Sequence, residues 1–253
     1  MDARTEEAIS RSIPLTNRVK AGQEDIVAIR FRKQTLWKER LTVLDAETVK
    51  LPLVVRKALA IGKQLAEMPV KIKRHELIVG HLFQCSLGTG VPFPDYCTAE
   101  ELESAAQKFM HPGAIFGHHC PSYQRFLTLG IGGIQRLARE KLAEVRLQGG
   151  KAETESWYEA VILSLDGLGC FILRYHDLAR ELALDETDQE RKAELLEIAD
   201  VSKHLSESPP RTFREAVQAF WFAHAAFQAT RNLLSLGRID QYLGPFLERD
   251  LEN

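Results

Sequence analysis

Cysteine is scarce and scattered in this sequence. Four occur among 253 residues, Cys85, Cys97, Cys120 and Cys170, and no two stand in C-x-x-C spacing. That argues against a disulfide framework and a zinc knuckle, and leaves reduced thiols as the default. Neither sign of charge is in excess: 33 Lys and Arg face 35 Asp and Glu, for a formal net charge of -2. Such a balance supplies no field to hold nucleic acid and none of the acidic surplus that keeps a chain unfolded. The start, Met1 to Ser12, lacks the apolar stretch of a secretory leader. No window approaches the roughly 20 apolar residues that a bilayer crossing needs. A cytoplasmic protein without nucleic-acid or membrane partners is expected. Internal repeats and low-complexity linkers are also absent.

What is present is the mix of a globular protein, 45% hydrophobic and 27% charged. Apolar residues recur at three- and four-residue steps, the period of a helix, from Trp157 to Leu184 and again from Ser122 to Leu147, where Gly149-Gly150 supplies a stop. A third helix is predicted from Thr212 to about Asn232, because Thr212 stands three residues before Glu215 in capping-box spacing after Pro209-Pro210. Weaker helical patterns cover Asp25–Leu44, Leu53–Glu67, Ala99–Met110 and Glu186–Leu205, and Leu243–Leu251 reads as the beginning of another helix. Strand signals are few. The run from Leu77 to Phe83 fits one buried strand, and Ser86 to Tyr96, with two prolines, fits an ordered loop.

Four segments carry a resemblance. The first is Ala66-Glu67-Met68-Pro69 followed by His75-Glu76-Leu77-Ile78-Val79-Gly80, with Phe93-Pro94-Asp95-Tyr96 downstream. The second is Gly117-His118 with Pro121 and Tyr123. The third, and most specific, runs from Pro210 to Phe222, and the fourth is Leu236-Gly237-Arg238-Ile239-Asp240-Gln241-Tyr242. In order and content they resemble the N-terminal region of the glycyl radical enzymes, the family of pyruvate formate-lyase and of glycerol and propanediol dehydratases. The resemblance spans Pro69 to Phe246. It implies a fold that is mainly α with a few short strands, the N-terminal part of a pyruvate formate-lyase-like α/β barrel, with residues 1–253 forming one truncated domain. The family stores a radical on a glycine, installed by a radical SAM activase. That radical passes to a cysteine, which attacks a small-molecule substrate. Neither an R-V-x-G-Y-like glycine motif nor a Gly-Cys-Val-Glu-like loop occurs in these 253 residues. By this resemblance the segment binds no cofactor itself and needs the missing C-terminal portion and the activase as partners, within an assembly that could be a homodimer.

The same resemblance singles out His118, where dehydratases carry a histidine near the leaving hydroxyl, and Ser235, where they carry a serine near substrate. An imidazole there can donate a hydrogen bond or act as acid or base, and a hydroxyl can orient a diol or amine. The structural alternatives, a capping histidine and a turn serine, stay open. His119 is the lesser candidate. Arg238 and Asp240, two apart, would pair on a structural strand of the barrel. Asp95 and Tyr96 are expected to anchor their loop by side-chain bonds. Cys120 beside His118 and His119 suggests a metal cluster or a nucleophile, but adjacent residues seldom converge on one ion, and no base-and-orienter triad supports a hydrolase. Cys170 is expected in the core. Gly130-x-Gly132-Gly133 lies in a helical pattern without the context of a phosphate loop, so close packing explains it better. Phe220-Trp221-Phe222 with His224 reads as core filling. A catalytically silent helical scaffold remains the competing reading. A cut piece of a barrel should leave apolar residues exposed.

Overall fold

The computed structural model describes residues 41–80, 93–108, 117–230 and 233–252. After a 3-10 turn at Thr48–Lys50 come helix α1 (Leu53–Glu67), α2 (Ala99–Gln107), strand β1 (Gly117–His119), α3 (Tyr123–Leu147), α4 (Ala152–Asp185), α5 (Gln189–Leu205), α6 (Phe213–Ala229), strand β2 (Leu233–Leu234) and α7 (Ile239–Glu252). The described residues are mainly helical, as expected, and a barrel is not visible among them. The helix expected over Asp25–Leu44 lies outside the described residues up to position 40, and 41–44 is not helical.

The long α4 is the axis of the molecule, with α1, α5 and α3 packed along it. Its inner positions Leu168, Phe171, Ile172, Tyr175, Ala179 and Ala183 are buried and recur at helical steps, so the apolar period places them. Phe171 and Tyr175 pack edge-on at 5.3 Å, and Tyr175 meets Phe222 of α6, also at 5.3 Å. Where α1 crosses α4, a Cβ on Gly167 would stand 2.7 Å from the Gly62 Cα, so two glycines allow the backbones to meet. Contrary to the composition reading, α4 does contain an 18-residue window of mean hydropathy 1.3, apolar and long enough to cross a bilayer by those measures alone. Only 39% of that window is buried: α1, α3 and α5 cover part of the helix, and apolar residues of α4 such as Trp157, Leu173 and Leu182 stand exposed. Cys170 is a second correction. It is exposed, because the helical turn carries it away from the stripe that holds Gly167, Phe171 and Ile172.

Helix α3 is not continuous. Gly130 has φ +64°, a left-handed conformation that favours glycine, and a Cβ there would lie 2.5 Å from the Pro209 nitrogen. The Gly132 N–H donates to Glu207 O at 2.7 Å. The glycine cluster thus admits the backbone of the 207–209 segment into a break in the helix. The expected close packing is present, together with a kink that periodicity did not reveal.

Local side-chain chemistry sets the helix starts. The Thr212 hydroxyl accepts from the Glu215 N–H at 3.1 Å, but the Glu215 carboxylate accepts from the Arg211 N–H and guanidinium, so the capping box is only half formed. A complete box stands at Thr98 and Glu101 on α2, which the sequence reading passed over. Arg56 of α1 donates to that same Glu101 and to Tyr96 O at 2.9 Å, joining α1 to α2. Asp95 is tied through its backbone, accepting from Val43 N and donating to Leu41 O. The run expected as a strand from Leu77 is not one at 77–80, and Leu82 and Phe83 lie outside the described residues. Instead the Gln218 side-chain amide exchanges two hydrogen bonds with Val79, donating to its O at 2.6 Å and accepting from its N–H at 2.8 Å. A side chain takes the place of a neighbouring strand. Trp221 Nε1 extends the contact by donating to Gly80 O at 2.7 Å.

Candidate functional site

β1 and β2 are about 115 positions apart in sequence, and they pair in parallel, Gly117 opposite Leu233 and His119 opposite Leu234, with an irregularity between Gly117 and His119. His118 therefore lies on β1 beside the strand that leads directly into Ser235, which is half-buried. Of His118 and His119 the backbone alone is described. The fold brings the two resemblance-derived segments together on one short ridge.

The residues after each strand lock the ridge. Gly237 has φ +69°, and a Cβ there would overlap the Sγ of Cys120, so the glycine is required both by its backbone angle and by the thiol beside it. Cys120 is otherwise exposed. The Tyr242 hydroxyl donates to Leu236 O, closing the turn between β2 and α7. Arg238 and Asp240 pair at 2.7 Å, but both are exposed and Asp240 sits in the first turn of α7, so the pair belongs to a helix start and not to a barrel strand.

Beneath the ridge, Tyr123 joins the elements on every side. It is the first residue of α3, 1% exposed, with ring centroids 4.6 Å from Phe220, 5.7 Å from Tyr242 and 6.4 Å from Phe227. Its hydroxyl lies 2.9 Å from Nδ1 of His224 on α6. Burial pushes the Tyr123 phenol far above its ordinary range and holds the His224 imidazole below its own. Both groups are therefore neutral near pH 7. The phenol donates to Nδ1 in one imidazole tautomer and accepts from Nδ1–H in the other, and the Gln228 amide nitrogen stands 3.5 Å from Nε2. Sequence reading took His224 for core filling alone and missed this polar link. The available signal was His224 followed four positions later by Gln228, a polar stripe on an otherwise apolar helix.

Among the described residues no three His, Cys, Asp or Glu side chains gather in a group fit to hold a metal. What the ridge offers is one hydroxyl and a strand bearing two histidines, on a rigid aromatic base.

The pyruvate formate lyase-like family model matches residues 106–253. The chain is 38% identical to isethionate sulfite-lyase of Nitratidesulfovibrio vulgaris over 134 residues, covering 51% of this chain and 16% of that protein. It is 32% identical to the 4-hydroxyphenylacetate decarboxylase glycyl radical subunit of Clostridioides difficile over 213 residues, 79% of this chain and 23% of the relative. Among solved structures it is similar to the glycerol-bound B12-independent glycerol dehydratase of Clostridium butyricum, with a TM-score of 0.65 and 26% identity over 80% of this chain and 33% of that one. The chain thus spans between about a sixth and a third of the length of these three relatives. With more than half of its length matched by one family, this chain belongs to the pyruvate formate lyase-like family.

Proposed function

We propose that this chain is the N-terminal segment of a glycyl radical lyase or dehydratase, supplying part of the barrel wall and part of the substrate pocket and inactive alone. The observation that carries the reading is the parallel pairing of β1 with β2, which sets His118 beside the strand leading into Ser235. In this reading residues 1–253 are one truncated domain. The His118 imidazole hydrogen-bonds or protonates a leaving group, and the Ser235 hydroxyl orients the substrate. A radical held on a glycine and passed to a cysteine supplies hydrogen abstraction. Both residues belong to the missing C-terminal portion, and a radical SAM activase installs the radical. The segment itself binds no cofactor. Its working form is cytoplasmic, with a small molecule as substrate, a homodimer as the assembly, and no nucleic acid or membrane as partner. The pairing of an imidazole strand with a hydroxyl favours a dehydratase or a related C–X lyase.

The test begins with translation of the DNA downstream of the Asn253 codon. The reading expects a Gly-Cys-x-Glu-like loop and then an R-V-x-G-Y-like loop. It also expects His118→Ala and Ser235→Ala to leave the glycyl radical signal of the activated assembly intact while turnover falls by about 100-fold or more. A locus that encodes neither loop overturns the reading and leaves a silent helical scaffold.

A further inference from the structure

Below the ridge a cavity of about 320 Å³ opens between α1, α3, α4 and α6. Its wall is almost wholly carbon, built from Ile61 and Leu65 of α1, Phe126 and Ile134 on either side of the α3 break, Leu165 and Leu168 of α4, and Ala226 and Phe227 of α6. Neither Ser235 nor Leu236 lines it. A water molecule needs two to four polar partners to be held, and the carbon wall offers none, so along that wall an apolar body fits better than solvent. A carbon-lined cavity of roughly 150 Å³ accepts benzene, so this one has room for a two-ring body.

The polar atoms of the lining are the specific feature. Arg125 is exposed, lines the cavity, and has neither an ion pair nor a hydrogen bond among the described residues. The Ser122 hydroxyl stands at the N-cap of α3 yet caps nothing, and the Ser164 hydroxyl in mid-α4 has no hydrogen-bond partner among the described residues. By contrast Ser156, two turns earlier on α4, bonds back to Ala152 O at 2.9 Å. A half-open apolar cavity, with a guanidinium and two hydroxyls that have no partner among the described residues, is complementary to one class of molecule.

We propose that this cavity binds an amphipathic monoanion, a carboxylate with a two-ring or similarly sized apolar body. The body lies among the helices and the carboxylate on Arg125, with Ser122 and Ser164 free to donate hydrogen bonds. The proposal goes beyond the radical reading and does not depend on it, because binding is read on the chain alone.

The experiment is calorimetric titration of the chain with naphthalene-2-carboxylate and, separately, with naphthalene-2-carboxamide, the uncharged isostere. The carboxylate is expected to bind about fivefold more tightly than the amide, the contribution of one exposed charge pair. Arg125→Met should bring that ratio to about one while leaving amide binding in place. Ala226→Leu should fill the cavity and weaken both probes by about tenfold or more, with Ser164→Leu as the second filling variant should the first fail to fold. Equal affinity for the two probes, an unchanged ratio in Arg125→Met, or no saturable binding overturns the proposal. Sedimentation showing a dimer that the probe dissociates also overturns it, by making a second copy of the chain the occupant.

Discussion

The α1, α3, α4 and α5 bundle and the β1–β2 ridge are held by different means, and the difference decides what a mutation can do in each. In the bundle, apolar and small residues packed at helical spacing supply most of the contacts, with a few assigned polar links such as Gln135 to Asp166 and Arg174 to Leu65 O set among them. Around the ridge, single groups have assigned partners: Gly237 with Cys120, Tyr242 with Leu236 O, Tyr123 with His224. Truncation in the bundle should therefore cost much and act globally. A change near the ridge should cost less and alter the position of particular residues.

The largest effect is expected from Phe222→Ala at the junction of α6 with α4. Phe222 is fully buried against Phe171 and Tyr175. Loss of its ring should reduce stability by about 4 kcal/mol, which urea denaturation would measure. Gly130→Ala comes next. It combines a left-handed backbone with a Cβ 2.5 Å from the Pro209 nitrogen, so roughly 3 kcal/mol is expected. Wild-type stability in this variant would mean that α3 can straighten and that the break is not held by the 207–209 segment.

These two residues also mark how much of the molecule is legible in its sequence. Phe222 lies in a run read directly as core, and α1 and α4 follow the apolar period closely, because burial on a helix face is a local rule. The break at Gly130 was not foreseen, since a helical pattern continues through it and the cause lies some 80 positions away. The 77–80 segment was misread for a similar reason. Its apolar run has strand character, but the partner that satisfies its backbone is the side chain of Gln218. At the ridge, His118 and Ser235 were found through resemblance, whereas the Tyr123–His224 link was not. A hydrogen bond across 101 positions leaves no period in the sequence.

Gln218→Leu sharpens the comparison, because Gln218 belongs to the core by burial and to the polar devices by function. It is 3% exposed, and its removal leaves the N–H and C=O of a fully buried Val79 without their partners. About 2 kcal/mol should be lost, and hydrogen exchange at the Val79 amide should accelerate by more than global stability explains. A loss spread evenly over all amides would show that the clamp is only another part of the core.

The smallest effect is a pH dependence that belongs to the aromatic base of the ridge. Burial holds the folded-state pKa of His224 below its ordinary value of 6.5. Between the ordinary and the lowered value the unfolded chain binds a proton that the folded chain refuses, so stability rises with pH across that window. The contribution is fully present above pH 6.5 and is lost as the pH falls toward the folded-state value. His224→Gln cannot titrate. Urea denaturation at pH 7.5 and at pH 5.5 should therefore show a smaller difference for the variant than for the wild type. Equal differences would mean that the imidazole reaches water without disturbing the fold, and that the base beneath His118 and Ser235 is softer than its burial indicates.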